Sequence, residues 1–297
     1  MSPLDVGKLL FLSAIWGGSF LFMRVAAPEL GPVFLIWLRV GVACLVLSPL
    51  FFQKRVREEI SSHWVPIVWV GLWNSVIPWS LLAYAVLSLE AGLTSLLNAA
   101  TPLFAAVLGY VWLRIPLTLW QISGLLVGIV GVTVLAGDVL QRDAKEQIVA
   151  MVATLVAAAC YGYVGHFVKR NLAGVSPKSI TVGNLASATV ILTPLAAFHL
   201  PTAFPSGMAM LCTAALAVFS TALAFLLLFD VLARCGATAT STVTFVIPIF
   251  GVLFGAVFLQ EAITPVIVTG MMVALSGAAL TTGLIPPKGG IAASKAS

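Results

Sequence analysis

The feature that most limits this chain is a succession of long apolar runs separated by short polar loops. Ten can be drawn, over residues 6–26, 32–52, 65–88, 91–113, 116–137, 147–169, 178–200, 206–232, 236–259 and 263–284. Crossing the hydrocarbon core takes about 20 apolar residues in a helix, because a helix satisfies every peptide group within its own segment. The pattern therefore predicts an all-α integral membrane protein with ten transmembrane helices. Of the 297 residues, 61% are hydrophobic and 8% charged, against about 25% charged in a soluble domain. The ten runs use nearly the whole chain, so no soluble catalytic domain is expected. The first run carries one Lys and no good small-residue cleavage site, and reads as a helix that stays rather than a signal peptide. Cys44, Cys160, Cys212 and Cys235 lie in or beside apolar runs without metal-site spacing. Neither a metal nor a cofactor is expected.

The basic residues give an orientation. With ten crossings both termini share one side, which collects Lys8, Lys54, Arg55, Arg57, Arg114, Lys169, Arg170, Lys178, Arg234, Lys288 and Lys295. The other side has Arg142 and Lys145, with Arg24 near its edge. Lys and Arg accumulate in cytoplasmic loops, so both termini are expected in the cytoplasm. The net charge of +5 is spread over short loops and does not form the aromatic-lined basic patch of a nucleic-acid binder.

The chain also repeats itself. Residues 83–137 align with 229–283 without a gap, at an offset of 146. Pro102 falls on Pro248, Thr94 on Thr240, Asn98 on Thr244, and Gly124, Gly131 and Gly137 on Gly270, Gly277 and Gly283. At an offset of 145, Trp16 falls on Tyr161, Arg24 on Lys169, Arg39 on Asn184 and Pro49 on Pro194. Two five-helix repeats are expected, residues 1–140 and 141–285, followed by a flexible cytoplasmic tail over 286–297. Five is odd, so the second repeat enters the membrane inverted. Inverted repeats support alternating access around a site near mid-bilayer, between the halves.

These residues resemble the drug/metabolite transporter superfamily, and within it the ten-helix EamA-type members. The resemblance rests on Ile15-Trp16-Gly17-Gly18-Ser19-Phe20 in the first run, Pro32 and Leu38-Arg39 in the second, and the Thr/Ser-rich starts and mid-helix prolines of the fourth and ninth. The turns Pro116-Leu117-Thr118 and Glu261-Ala262-Ile263-Thr264 resemble the family's Glu-x-Leu-Thr turn. The first half departs from it, with Ile115 in place of Glu, so Glu261 is expected to cap or shape a loop. Almost the entire chain is covered. Length and helix pattern are most similar to exporters of aromatic and other amino acids, which implies a small-molecule substrate.

Polar groups inside a span tend to face the bundle interior or a water-filled cavity. Arg39, about a third of the way into the second helix, either draws a substrate carboxylate or ties helix ends together. Trp16, Ser19, Trp79, Tyr84, Tyr161, Tyr163 and His166 are candidates to pack on an apolar substrate group and hold its polar end. Tyr163 and His166 are three apart and share a helix face. Asn74, Asn98, Asn184 and Thr244 complete the candidate substrate-binding set, with interhelical hydrogen bonding as their alternative role. Pro78 removes a backbone donor and loosens its helix. With Pro102 and Pro248 it forms the candidate hinge set. No Asp or Glu lies deep in any span, which points to facilitated transport rather than a carboxylate proton relay. No nucleophile or metal constellation converges.

The expected function is export of amino acids, aromatic ones among them, and related metabolites across a bacterial-type inner membrane. The alternatives are a multidrug or nucleotide-sugar-like carrier of the same superfamily and, in a different class, a membrane-embedded lipid-modifying enzyme. The expected partners are the substrate and the bilayer, with a monomer or an oligomer both open.

Overall fold

The computed structural model describes residues 2–141 and 145–283, so Arg142 and the tail expected over 286–297 lie outside the described residues. Among the described residues every regular element is helical. The helices are α1 (Pro3–Leu30), α2 (Pro32–Val46), α3 (Lys54–Ser62), α4 (Trp64–Ala85), α5 (Ala91–Leu113), α6 (Leu119–Gln141), α7 (Lys145–Asn171), α8 (Pro177–Ala197), α9 (Gly207–Gly236), α10 (Val243–Leu259) and α11 (Pro265–Thr281). Seven of them, α1 and α4 to α9, are long and apolar enough to cross a membrane. The others, apart from α3, are shorter apolar helices.

Local chemistry sets the helix starts. The Ser2 hydroxyl accepts from the Asp5 N–H while the Asp5 carboxylate accepts from the Ser2 N–H, a reciprocal box that satisfies two otherwise orphan donors. Ser176, Ser206 and Thr264 cap α8, α9 and α11 in the single-bond form. Prolines occupy the first turns of α1, α2, α8 and α11, where the missing N–H costs nothing.

The structure departs from the expected runs in three places. The second run was expected to reach residue 52, but α2 ends at Val46 and a 3-10 turn, Ser48–Phe52, follows around Pro49. The next residues form α3, which buries Val56 and exposes Lys54, Arg55, Arg57 and Glu58. Its charge density hid it in the sequence. The fourth run is broken between Asn98 and Thr101, giving α5 two segments, Ala91–Asn98 and Thr101–Leu113. In the ninth, Gly236 (φ 77) kinks the chain after α9, helical residues continue to Ser241, and α10 starts at Val243.

Irregularities recur at nearly the repeat spacing. Wide π-type turns interrupt α4 at Gly71–Val76 and α9 at Val218–Leu223. In α4 the cause is Pro78, whose ring lacks an N–H and crowds the preceding turn. In α9 the Thr221 hydroxyl enters the ladder and donates to the Leu216 carbonyl, five residues back (2.9 Å). Arg114 and Gln260 both end their helices in the left-handed region (φ 53 and 59). The next residues, Ile115 and Glu261, donate N–H groups to the Gly109 and Gly255 carbonyls, each at 3.1 Å.

Glycines bring helices together where a side chain would collide. A Cβ on Gly131 would overlap the Ala274 backbone, and one on Gly277 would overlap the Gly128 backbone, so α6 and α11 pack backbone to backbone. Gly17 similarly lets α1 lie against Phe250 and Ile247 of α10. The main core lies among α1, α2, α4, α8 and α9, where Met23, Ile36, Val40, Leu185 and Leu216 are fully buried.

Contacts at the helix ends fall into two sets. At the end of the bundle that carries the N-terminus, Lys8 pairs with Asp230, and the Glu59 carboxylate accepts from the Ser176 N–H at the start of α8 (2.9 Å). At the other end, Glu29 accepts from the Ser206 N–H and hydroxyl (2.6 and 2.8 Å). There Arg24 donates to the Val86 and Leu87 carbonyls at the end of α4.

Candidate functional site

A cavity of about 280 Å³ lies at the middle of the helices. Its walls come from both halves: Trp16, Ser19, Phe20 and Met23 of α1, Arg39 of α2, Asn74, Trp79 and Leu82 of α4, and the broken region of α5. From the second half come Tyr161 of α7, Phe225 of α9, and Thr244, Ile247 and Pro248 of α10. The lining is largely apolar and aromatic with a few polar groups, the usual character of a small-molecule site.

Arg39 is the one charged residue in this lining and is only 4% exposed. Its Nε donates to Thr221 Oγ1 (2.9 Å) in the π-turn of α9. Its guanidinium carbon lies 4.0 Å from the centre of the Trp79 ring, and one terminal nitrogen reaches only the Met23 sulfur (3.9 Å). A desolvated cation over an indole gains up to about 2 kcal/mol, which does not match the cost of burying a charge without a counter-charge. Among the described residues the ion pairs are made by Lys8, Lys54, Arg55 and Arg234, and none reaches Arg39. The site therefore holds an uncompensated positive charge with donors to spare, an arrangement that favours an anionic group in the cavity.

Asn98 Oδ1 and Ser95 Oγ are buried with no hydrogen-bond partner among the described residues. Trp16 meets Phe225 edge to face, with centroids 6.4 Å apart, and forms one aromatic wall. The cavity is closed at the end away from the N-terminus by α5 against α10. A Cβ on Gly251 would strike Ser95, and one on Gly92 would crowd Val252. The Glu261 carboxylate accepts from the Ala91 N–H (2.6 Å) and the Gly92 N–H (2.9 Å), capping α5 from across the seam. Ile115, aligned with Glu261, has no acceptor to offer. Toward the N-terminal end α5 leans on α7 instead, with Gly162 against the Ala105 backbone, and Thr244 of α10 is exposed.

The family model for EamA-like transporters matches residues 7–137 and again 148–283. The chain belongs to the EamA-like transporter family. As a member of that family it is a multi-pass membrane transporter, and the family and its relatives point to transport rather than catalysis. It is 22% identical over 277 residues to the uncharacterized transporter YoaV of Bacillus subtilis, covering 92% of this chain and 95% of the relative. It is 27% identical over 272 residues to an S-adenosylmethionine/S-adenosylhomocysteine transporter of Chlamydia trachomatis, covering 86% and 83%. A solved crystal structure matches its fold with a TM-score of 0.66 at 16% identity, over 97% of this chain and all of that one.

In this EamA-family chain, Trp16, Ser19, Arg39, Asn74, Trp79, Asn98, Tyr161, Thr244, Pro102 and Pro248 come together around the cavity. Four expected substrate contacts lie outside it. Asn184 is fully buried, and its Oδ1 accepts from Ser75 Oγ (3.0 Å). Tyr163 is turned about 200° from Tyr161 on its helix; its hydroxyl accepts from Trp69 Nε1 (2.9 Å) and its ring stacks on Trp112 (5.1 Å). His166 shares that face and donates Nε2–H to the Ala105 carbonyl (2.7 Å), bracing α5. Tyr84 stands half-exposed near the end of α4. Pro78 is buried behind the lining, where it shapes the π-turn. Ser95 and Thr221 were not expected as site residues. Each carries a repeat signal: Ser95 aligns with Ser241, and Thr221 with Ser75 at an offset of 146.

Proposed function

We propose that this transporter exports amino acids, aromatic ones among them, and related small metabolites by alternating access. The observation that carries the reading is Arg39, a buried and uncompensated guanidinium facing a cavity walled by Trp16, Trp79, Tyr161 and Phe225. A carboxylate supplies the missing counter-charge through charge-assisted hydrogen bonds. The rings pack on the substrate's apolar part.

In this reading the chain crosses the bilayer ten times as two inverted five-helix halves, residues 1–140 and 141–285, with both termini cytoplasmic in a bacterial-type inner membrane. The twofold family match, the paired π-turns and the paired left-handed helix ends support the two halves. The seal between α5 and α10 lies at the end away from the N-terminus, so the cavity opens toward the cytoplasm in this state. Exchange of the two halves' conformations opens it to the other side.

A second reading is favoured by the relative named for S-adenosylmethionine. That solute is itself an α-amino acid bearing a heteroaromatic group, so the same cation and rings suit it. The deciding experiment is flux into liposomes holding the full-length protein, with labelled amino acids, S-adenosylmethionine, nucleosides and cationic drugs. Saturable amino-acid flux above empty vesicles is expected. Flux of S-adenosylmethionine alone would decide for the second reading, and flux of drugs or nucleosides alone would sink both.

A further inference from the structure

We infer that the broken end of the first α5 segment reads a substrate ammonium, so that the cavity selects zwitterions: carboxylate at Arg39, ammonium at Asn98 Oδ1 and Ser95 Oγ. This rests on the amino-acid reading above and goes further by fixing the substrate's direction and the groups it must carry.

Three observations converge. First, Ser95 and Asn98 are three residues apart, hence on one helix face, and both line the cavity. Ser95 is 1% exposed, yet its hydroxyl and the Asn98 amide oxygen lack partners among the described residues. Buried polar atoms in folded proteins are nearly always paired, and a donor brought by the substrate removes the deficit. Second, the segment stops at Asn98. Pro102, four residues on, has no N–H for the Asn98 carbonyl, which accepts from Thr101 Oγ1 instead (2.8 Å). Asn98, Ala99 and Thr101 all line the cavity, so the polar groups at this break lie beside a bound solute. Third, the lining contains no carboxylate. An amine alone would meet the charge of Arg39 with no anion to offset it. A carboxylate alone would leave Asn98 and Ser95 unpaired. A zwitterion satisfies both walls.

The test uses the full-length protein and labelled phenylalanine as probe. The competitors are 3-phenylpropionate, which lacks the ammonium, and phenethylamine, which lacks the carboxylate. Each is expected to compete about tenfold or more weakly than phenylalanine itself, the scale of a lost charged hydrogen bond. Asn98→Leu should weaken phenylalanine about tenfold while leaving 3-phenylpropionate within about twofold. Asn98→Asp is nearly isosteric and guards against misfolding of the Leu variant. It should retain phenylalanine and tighten phenethylamine. If 3-phenylpropionate competes as well as phenylalanine, or if Asn98→Leu weakens both equally, the ammonium assignment is overturned while the amino-acid reading stands. If no amino acid binds although another solute crosses, the amino-acid reading falls and this inference with it.

Discussion

Arg39 and Asn184 occupy matching positions in the two halves, and their partners match as well. Arg39 of α2 reaches Thr221 in the π-turn of α9. Asn184 of α8 accepts from Ser75 in the π-turn of α4. The scaffold makes one contact twice, yet the chemistry differs. On the second-half side a neutral amide and a hydroxyl satisfy each other, and Asn184 takes no part in the cavity wall. On the first-half side a cation engages one hydroxyl and one ring and keeps unused donors. A pseudo-symmetric frame has thus become polar at one of its two equivalent positions. A single asymmetric solute needs one such position, and two facing cations would repel each other at this depth.

The most severe way to break this comparison is Arg39→Gln. Loss of a buried charge partner costs several kcal/mol, so phenylalanine affinity in the reconstituted protein should fall about 100-fold or more. A change below about threefold would show that Arg39 only packs helices, as Asn184 does. The two prolines come next. Pro102→Ala restores a donor to the broken α5 and Pro248→Ala does so in α10, where the same residue type lies within a continuous helix. Each should slow flux several-fold more than it weakens binding, with the larger effect at Pro102. Equal loss of flux and affinity in both would end the hinge idea. Asn184→Ala is milder: thermal unfolding in detergent should show a loss of about 1–3 kcal/mol from the orphaned Ser75 hydroxyl, with phenylalanine affinity little changed.

The smallest expected effect concerns the Glu59 cap at the end of the bundle that carries the N-terminus. The Arg55 guanidinium beside Glu59, together with the Ser176 and Ser179 groups, holds its carboxyl down to about 2 from 4.5. A depressed carboxyl contributes stability that is complete above its unfolded value and lost as the pH falls through its folded one. The Glu59 contribution should therefore fade between pH 4.5 and about 2. Glu59→Gln should flatten the melting-temperature profile over that window, and an unchanged profile would mean that the cap adds nothing.

Several polar and aromatic groups of the cavity were legible because they interrupt an apolar run and recur at the repeat spacing. Trp16 with Tyr161, and Asn98 with Thr244, stand out for that reason. Periodicity says which residues share a helix face but not which neighbour that face meets. Tyr163 and His166 do share a face, and it turns toward α4 and α5 rather than inward. Asn184 lost its expected place because its mate's role does not survive the change from guanidinium to amide. Ser95 and Thr221 were hidden by size, since small hydroxyl residues are common in membrane helices and most bond to their own backbone. Helix α3 was missed because its charges outnumber its apolar residues, so only Val56 and Ile60 mark its inner face.

The backbone contact between α6 and α11 carries a mechanical consequence. With Gly131 over Ala274 and Gly277 against Gly128, the two backbones touch with no side chain between them. One helix belongs to each half of the chain, so on the alternating-access reading proposed above this pair is expected to act as a keel that keeps the halves in register. A bulkier residue at Gly277 would therefore be felt as a shift in the balance between the two open states, at a point well away from any solute.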